Sequence, residues 1–258
     1  MDLGLKGKKA LVLGSSSGLG KAVACQLSEE GAEVVISGRS RERAQQALIE
    51  CKAKAVVNGD LSCVGEAERL VEEAVQLLGG LDIIVINGGG GQPGGLLTSA
   101  PDNRESAYYS MLRPALEAAV CASRYLKESA SGRMIFITAR SVVEATPELA
   151  LSSIFRSGVA AAARSLAIEL APDDVLVNVV VPGQFETPAY ERFENWTADH
   201  QGVAAADIRE MHEKAIPLGR LGQATELSDI ITFLCSARAS YITGSVVRVD
   251  GGAVTGFH

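Results

Sequence analysis

Ala10-Leu11-Val12-Leu13-Gly14-Ser15-Ser16-Ser17-Gly18-Leu19-Gly20 is the stretch from which the fold is read. Four apolar residues run into glycines spaced Gly-x3-Gly-x-Gly, and a helix-compatible segment, Leu19–Glu30, follows at once. The bare spacing is a weak signal. It acquires meaning from a strand before it and a helix after it, inside a βαβ unit. Glycines let the backbone close on a pyrophosphate, whose charge then faces the helix N-terminus. Gly14, Ser16, Ser17, Gly18, Leu19 and Gly20 are therefore read as dinucleotide-binding positions. A tight βα turn without a ligand is the alternative.

Working outward, short β-branched apolar runs alternate with longer amphipathic segments. The predicted strands are Ala10–Leu13, Glu33–Ser37, Ala55–Val57, Asp82–Ile86, Met134–Thr138, Leu176–Val181 and Val246–Val249. They are apolar on both faces, as buried parallel strands are. Between them the spacing predicts helices over Leu19–Glu30, Arg41–Cys51, Glu66–Leu78, Asn103–Glu128, Leu149–Ala171 and Glu226–Cys235. The implied architecture is α/β: a single doubly wound, parallel, seven-stranded sheet of Rossmann type with helices on both faces. No linker or repeat divides the chain, so residues 1–258 read as one domain. The polar stretch at about 186–216 interrupts the alternation after a strand's carboxyl end, where open α/β sheets bind ligands, and reads as a substrate lid.

Composition narrows the function classes. Lys and Arg number 24 against 31 Asp and Glu, a net charge of −7, and the isoelectric point is near 5.1. Nucleic-acid binding normally needs a basic stripe, so no nucleic-acid partner is expected. The run before Gly14 is too short for a signal-peptide core, and nothing reaches the ~18 apolar residues of a membrane span. A cytoplasmic protein is expected. Cys25, Cys51, Cys63, Cys121 and Cys235 form no C-x-x-C pair, and His200, His212 and His258 form no ligand cluster. Neither a metal site nor a disulfide framework is expected; the cysteines read as small hydrophobes or bystanders. Glycine, with 27 of 258 residues, is in excess, and eight fall between Gly79 and Gly95.

The second strand ends in Ile36-Ser37-Gly38-Arg39-Ser40. A carboxylate there would accept the adenosine ribose hydroxyls and repel a 2′-phosphate, whereas Arg39 offers a cation to that phosphate. NADP(H) is the expected cofactor, with NAD(H) as the alternative; a solvated surface arginine is the competing reading of Arg39. Asp60-Leu61 follows the third strand, Asn87-Gly88-Gly89-Gly90 the fourth, and Pro182-Gly183 with Thr187 the sixth. The chain ends with Ile216-Pro-Leu-Gly-Arg-Leu-Gly222, Tyr241-Ile-Thr-Gly244 and Val249-Asp-Gly-Gly252. In these motifs, over essentially its whole length and in order, the chain resembles the short-chain dehydrogenase/reductase family. The resemblance implies that Asp60 bonds the adenine and that Asn87 braces the sheet beside the cofactor. It further implies that Thr187 and the backbone at Pro182–Gly183 hold the nicotinamide carboxamide. Leu61 and Gly88 take the cofactor-lining places beside Asp60 and Asn87.

The family's chemistry rests on Tyr-x-x-x-Lys on one helix, a serine on the strand before it and an asparagine on the preceding helix. Its tyrosine donates a proton, and its lysine lowers the phenol pKa from about 10 toward neutrality. Here the tyrosines are 108, 109, 125, 190 and 241, and four positions onward stand Leu112, Arg113, Ser129, Glu194 and Ser245. The register fixed by Arg164-Ser-Leu-Ala-Ile-Glu-Leu-Ala-Pro172 puts Ser152 in the tyrosine's place and Arg156 in the lysine's. The serine's place falls on Ala139, with Ser141 two residues on, and the asparagine's on Met111. These departures resemble a divergent, β-ketoacyl-ACP-reductase-like branch of the family. Residues 152 and 156 still share a helix face, so Arg156 can reach the nicotinamide ribose or a developing oxyanion. Ser152, Arg156 and Ser141 are the catalytic candidates, although neither hydroxyl nor guanidinium is a good acid. Tyr108, Tyr109, Tyr190 and ordered water are the other candidate proton sources, with packing as the competing role of each tyrosine.

Three functions stay open at this point. The first is an NADP(H)-dependent reductase of a carbonyl, acting on a small-molecule substrate, free or linked to an acyl carrier, through a non-standard proton donor. The second is a dinucleotide-binding sensor or partner subunit without turnover. The third resembles the halohydrin dehalogenases, which keep the tyrosine and give up the dinucleotide glycines, the reverse of this chain. The retained lid, with Phe193 and Trp196, favours the enzyme. The resemblance also implies a homo-oligomer, dimer or tetramer, built on the helix carrying Gly158-Val-Ala-Ala-Ala-Ala163, although small residues could equally pack within the chain.

Overall fold

The computed structural model describes residues 1–256; His258, one of the histidines weighed above, lies outside the described residues. Strands β1 (Lys9–Val12), β2 (Glu33–Gly38), β3 (Ala55–Asn58), β4 (Ile83–Asn87), β5 (Arg133–Ile137), β6 (Leu176–Pro182) and β7 (Val246–Val249) form one sheet. Its order is β3-β2-β1-β4-β5-β6-β7, and every pairing is parallel. Seven strands were expected and seven are present among the described residues, with ends shifted by a residue at most. The order reverses between β1 and β4, and an open sheet binds its ligand at such a switch point, outside the strands' carboxyl ends.

Alternation along each strand explains why both faces carry helices. Leu11, Leu13, Ile84 and Phe136 belong to one core, and Ala10, Val12, Ile83 and Ile135 to the other. Helices α1 (Gly18–Glu29), α2 (Arg41–Glu50) and α9 (Ala224–Cys235) cover the second face. Helices α3 (Glu66–Leu78), α5 (Arg113–Leu126) and α6 (Ala150–Leu170) cover the first. In α3, Ala67, Leu70, Val71, Ala74 and Leu78 keep the three-to-four spacing of one buried stripe, and Gly79, at φ +70°, closes the helix in the left-handed region.

Two expectations need correction. The predicted helix Asn103–Glu128 is not continuous: α4 (Pro101–Ala107) passes through a π turn, Tyr108–Leu112, into α5. Pro114 has no N–H for the carbonyl of Ser110, so the Arg113 N–H reaches back to the Tyr108 carbonyl instead and the helix widens. The cysteines are not all bystanders. Cys25 on α1 and Cys51 at the end of α2 form a disulfide, while Cys121 and Cys235 are buried and Cys63 is exposed. The bridged pair stand 26 residues apart in sequence and meet because α1 and α2 lie side by side on one sheet face. A Lys21–Glu50 ion pair flanks the bridge.

The stretch 186–216 folds into α7 (Pro188–Gln201) and α8 (Ala205–Ala215), which pack on each other after the carboxyl end of β6. No helix among the described residues is long and apolar enough to cross a membrane.

Candidate active site

The turn after β1 is held from both sides. Ser15 donates to the Val12 carbonyl at 2.6 Å and accepts from the Ser37 N–H at 3.0 Å, while the Gly14 N–H donates to the Ser37 hydroxyl at 3.0 Å. Gly14 has φ +61° and Gly18 φ +58°, a region in which side chains other than glycine are strained. A Cβ on Gly20 would overlap the Gly14 carbonyl and come within 2.8 Å of Asn87 Nδ2, and one on Gly38 would sit 2.7 Å from the Ser16 Cβ. Gly38 is thus explained by close approach, a constraint the sequence reading did not see. Ser17 precedes α1 in extended conformation, its side chain makes no cap bond, and no acidic residue occupies the first turn. The first N–H groups of α1 are therefore left for an anion. Leu19 turns into the core beneath them.

At the end of β2, Arg39 is 72% exposed and lies 3.7 Å from a carboxylate oxygen of Asp60. Asp60 also accepts from the Ser62 N–H and hydroxyl at 2.9 and 2.7 Å. Burial alone would raise its pKa; the two Ser62 donors and Arg39 outweigh that and hold it below the usual carboxylate range. The two adenosine-end candidates thus stand together at one corner, with Leu61 packed inward beside them.

Asn87, the last residue of β4, donates through Nδ2 to the Gly14 carbonyl at 3.0 Å, joining β4 to the glycine turn. Beyond it, a Cβ on Gly88 or Gly89 would lie 3.6 Å from the carbonyl oxygen of Ser110 in the π turn, and one on Gly91 would come within 2.8 Å of Met111 Cε. Gly94, at φ +146°, bridges to Leu149 and accepts the Ala150 N–H at 3.4 Å. The glycine-rich segment is a strap from β4 to the first turn of α6.

Ser141 and Ser152 meet, with their hydroxyl oxygens 3.1 Å apart. Ser141 is buried in the turn after β5, and Ser152 lies in the first turn of α6. One turn further, Arg156 donates to the Gly89 carbonyl at 3.0 Å and to the Ile137 carbonyl at 3.4 Å. No carboxylate among the described residues pairs with it, and desolvation pulls its guanidinium down to about 10. It is still a cation at neutral pH.

At β6, Gly183 donates to the Val249 carbonyl at 2.9 Å, and a Cβ there would come within 2.7 Å of the Asp250 Cα. Pro182 is buried. Thr187 lies 3.8 Å from where a Cβ on Gly18 would stand, so the glycine turn and the β6 loop face each other. Its hydroxyl accepts from the Tyr190 N–H at 3.2 Å and caps α7.

The tyrosines proposed as proton sources separate. Tyr108 packs against Tyr109 and Phe155, and Tyr109 lies under the Arg113 guanidinium at 4.5 Å. Tyr190 is buried, and its hydroxyl is 2.9 Å from His212 Nδ1 on α8. His212 was a residue that sequence reading passed over.

Comparisons with known proteins agree with this layout. A family model described as enoyl-(acyl carrier protein) reductase matches residues 14–254. The 3-oxoacyl-[acyl-carrier-protein] reductase FabG of Aquifex aeolicus is 34% identical, over 98% of this chain and 99% of that protein. Among solved structures, L-sorbose reductase from Gluconobacter frateurii, complexed with NADPH and L-sorbose, superposes with a TM-score of 0.93 at 26% identity and complete coverage of both chains. YwfH, an NADPH-dependent reductase involved in bacilysin biosynthesis, superposes with a TM-score of 0.91 at 26% identity, covering 98% of this chain and all of that one.

Proposed function

The chain belongs to the short-chain dehydrogenase/reductase family, and on that premise we propose that it is an NADP(H)-dependent reductase of a small carbonyl substrate. The observation that carries this reading is the dinucleotide cradle at the β1–β4 switch point, where Gly14, Gly20 and Asn87 leave no room for a Cβ. Arg39 at the tip of β2, with no carboxylate in its place, supports NADP(H) over NAD(H). The NADPH-bound L-sorbose reductase and the NADPH-dependent YwfH support the same choice.

The reduced nicotinamide supplies the hydride; the chain's residues bind, orient and balance charge. Gly14, Ser16, Ser17, Gly18, Leu19 and Gly20 would receive the pyrophosphate. Arg39 would hold the 2′-phosphate, and Asp60 and Leu61 the adenine. Asn87 and Gly88 would flank the cofactor. Thr187, with Pro182–Gly183, would hold the carboxamide. Arg156 would offer its cation to the ribose or to the oxygen that gains charge. Because Arg156 keeps its proton, it stabilises that charge without quenching it. The hydroxyls of Ser141 and Ser152 add hydrogen-bond donors but no acid at neutral pH. The proton therefore comes from a group other than the family's tyrosine.

We extend the same proposal to the setting: one catalytic domain over residues 1–258, residues 186–216 as its lid, and a cytoplasmic location. The substrate would be free or thioester-linked to an acyl carrier, as the name of the Aquifex relative supports. Val120 on α5 and Ile154 and Ile168 on α6 are exposed apolar residues, which supports a dimer or tetramer through these helices. The test is to titrate NADPH and NADH and then assay a panel of ketones and 3-oxoacyl thioesters. NADPH binding with turnover that falls in Arg156→Ala is expected. Tight NADPH binding without turnover of any substrate, unchanged in Arg156→Ala, would leave a dinucleotide-binding sensor in the enzyme's place.

A further inference from the structure

We propose that the Cys25–Cys51 bridge is a redox-modification site that switches the dinucleotide pocket. Closed, it fixes the pyrophosphate turn relative to Arg39; opened by a low-molecular-weight thiol or a dithiol, it loosens NADPH. The inference rests on the cofactor and the cytoplasmic setting proposed above. In that setting thiols are kept reduced, and the disulfides that do form are usually transient, catalytic or redox-sensing. This one lies on the sheet face covered by α1 and α2, whereas Ser152 and Arg156 belong to α6 on the other face. It is therefore outside the reacting centre, and its place is beside the cofactor's phosphates.

Contacts at both ends of α2 make that connection. Cys51 caps its C-terminus, and the Cys51 sulfur lies 3.5 Å from the carbonyl oxygen of Lys21. Lys21 stands in the first turn of α1, with its N–H 3.4 Å from the Ser17 carbonyl; this is the turn whose N–H groups are left for the pyrophosphate. The Lys21 ammonium pairs with Glu50, the residue before Cys51. At the N-terminus of α2 the cap is Ser40, which directly follows Arg39. A single ten-residue helix thus leans on the pyrophosphate turn at its last residues and carries Arg39 ahead of its first. Few other side chains fasten it. Within α2 only Ala44 and Ala47 are buried, and two methyl groups bring little apolar area to hold a helix in place. The Lys21–Glu50 pair is partly exposed and contributes little by itself. The bridge is the covalent tie between α2 and α1.

Cys51 is buried and Cys25 half-buried, so an incoming thiolate meets the bridge at Cys25. It attacks the Cys25 sulfur, the S–S bond breaks, and the Cys51 sulfur leaves with the electron pair and takes a proton from solvent. A mixed disulfide stays on Cys25. A second reductant thiolate attacks the outer sulfur of that disulfide and displaces Cys25, which is protonated in turn. The protein gains two electrons and two protons, and two reductant thiols become one disulfide. An oxidised low-molecular-weight disulfide runs the same steps in reverse and closes the bridge. With the bridge open, α2 is free to shift against α1, and Arg39 loses its fixed distance from the pyrophosphate turn.

The test titrates NADPH and NADH into the oxidised protein, the protein reduced with dithiothreitol, and the reduced protein reoxidised with glutathione disulfide, below the melting transition of every form. Free thiols should number three before reduction and five after it. On reduction the affinity for NADPH should fall roughly fivefold or more. NADH, without the phosphate that Arg39 reads, should lose less, and both affinities should return on reoxidation. By linkage, saturating NADPH should shift the equilibrium of the bridge with a dithiothreitol redox buffer toward the disulfide by the same factor. Cys51→Ser should show the reduced protein's affinity with or without reductant, while Cys63→Ser, which keeps the bridge, should respond as the wild type does. Equal NADPH affinities in the two states, or a redox equilibrium indifferent to NADPH, overturn the switch while the cofactor reading stands. An affinity lost on reduction and not regained on reoxidation overturns it too. Absence of NADPH binding in every state is instead the failure of the cofactor reading, and the switch falls with it. Turnover enters none of these readouts, so the reductase reading is tested separately.

Discussion

Replacing Arg39 by alanine tests the side chain on which the proposed preference for NADPH over NADH rests. A charge-assisted hydrogen bond to a phosphate contributes about 1.5–3 kcal/mol. Arg39, however, is 72% exposed and already lies 3.7 Å from Asp60, itself 39% exposed. Giving up an exposed pair of this kind costs at most about 1 kcal/mol, and salt screens what the arginine gains at the surface. The net loss is then about 1–2 kcal/mol, a weakening of NADPH binding by roughly 5- to 30-fold. NADH has no 2′-phosphate, so its affinity should change by less than about twofold. Calorimetric or fluorescence titration of both dinucleotides against both proteins reads the difference, and added salt should shrink it for NADPH alone. Equal weakening of the two dinucleotides would mean that Arg39 shapes the pocket and does not read the phosphate. No weakening of NADPH would return it to the status of a solvated surface side chain.

Gly20→Ala should weaken dinucleotide binding by at least roughly tenfold and destabilise the fold by about 1–3 kcal/mol, because its Cβ meets the Gly14 carbonyl and Asn87 Nδ2; retention of both in titration and thermal melts would refute the close-approach reasoning. The Cys25–Cys51 bridge closes a 26-residue separation, which in the chain-entropy model is worth about 3–4 kcal/mol. Reductant, or Cys51→Ala, should therefore lower the melting temperature by roughly 6–15 °C, and five free thiols in the untreated protein would contradict the bridge. Thr187→Val removes the cap of α7 and should cost about 1 kcal/mol of stability by denaturant titration, while Thr187→Ser should cost less.

Much of the architecture was legible because it is written in local chemistry. Period-two alternation puts Leu11 and Val12 on opposite faces of one strand, so seven such runs separated by amphipathic segments imply a sheet covered on both sides. The glycine turn is legible for the same reason, since positive φ at Gly14 and Gly18 is a property of single residues. The π turn was missed although Pro114 marks it; an unbroken apolar period from Asn103 to Glu128 outweighed one absent N–H. The disulfide was missed because nothing in the spacing of Cys25 and Cys51 records that their helices are neighbours.

The sequence by itself determined the doubly wound sheet, the glycine turn after β1 and the absence of Tyr-x-x-x-Lys, since each depends on residue type over a short span. Tertiary structure alone decided which side chains meet. Ser141 and Ser152 come together across the gap between β5 and α6. Arg156 turns to a carbonyl 67 residues away, and Gly38 is required by a serine on the neighbouring turn. Tyr190 pairs with His212 only because α7 folds back on α8. Such contacts follow from strand register and helix packing, which sum weak preferences over the whole chain. They cannot be read from any one stretch of it.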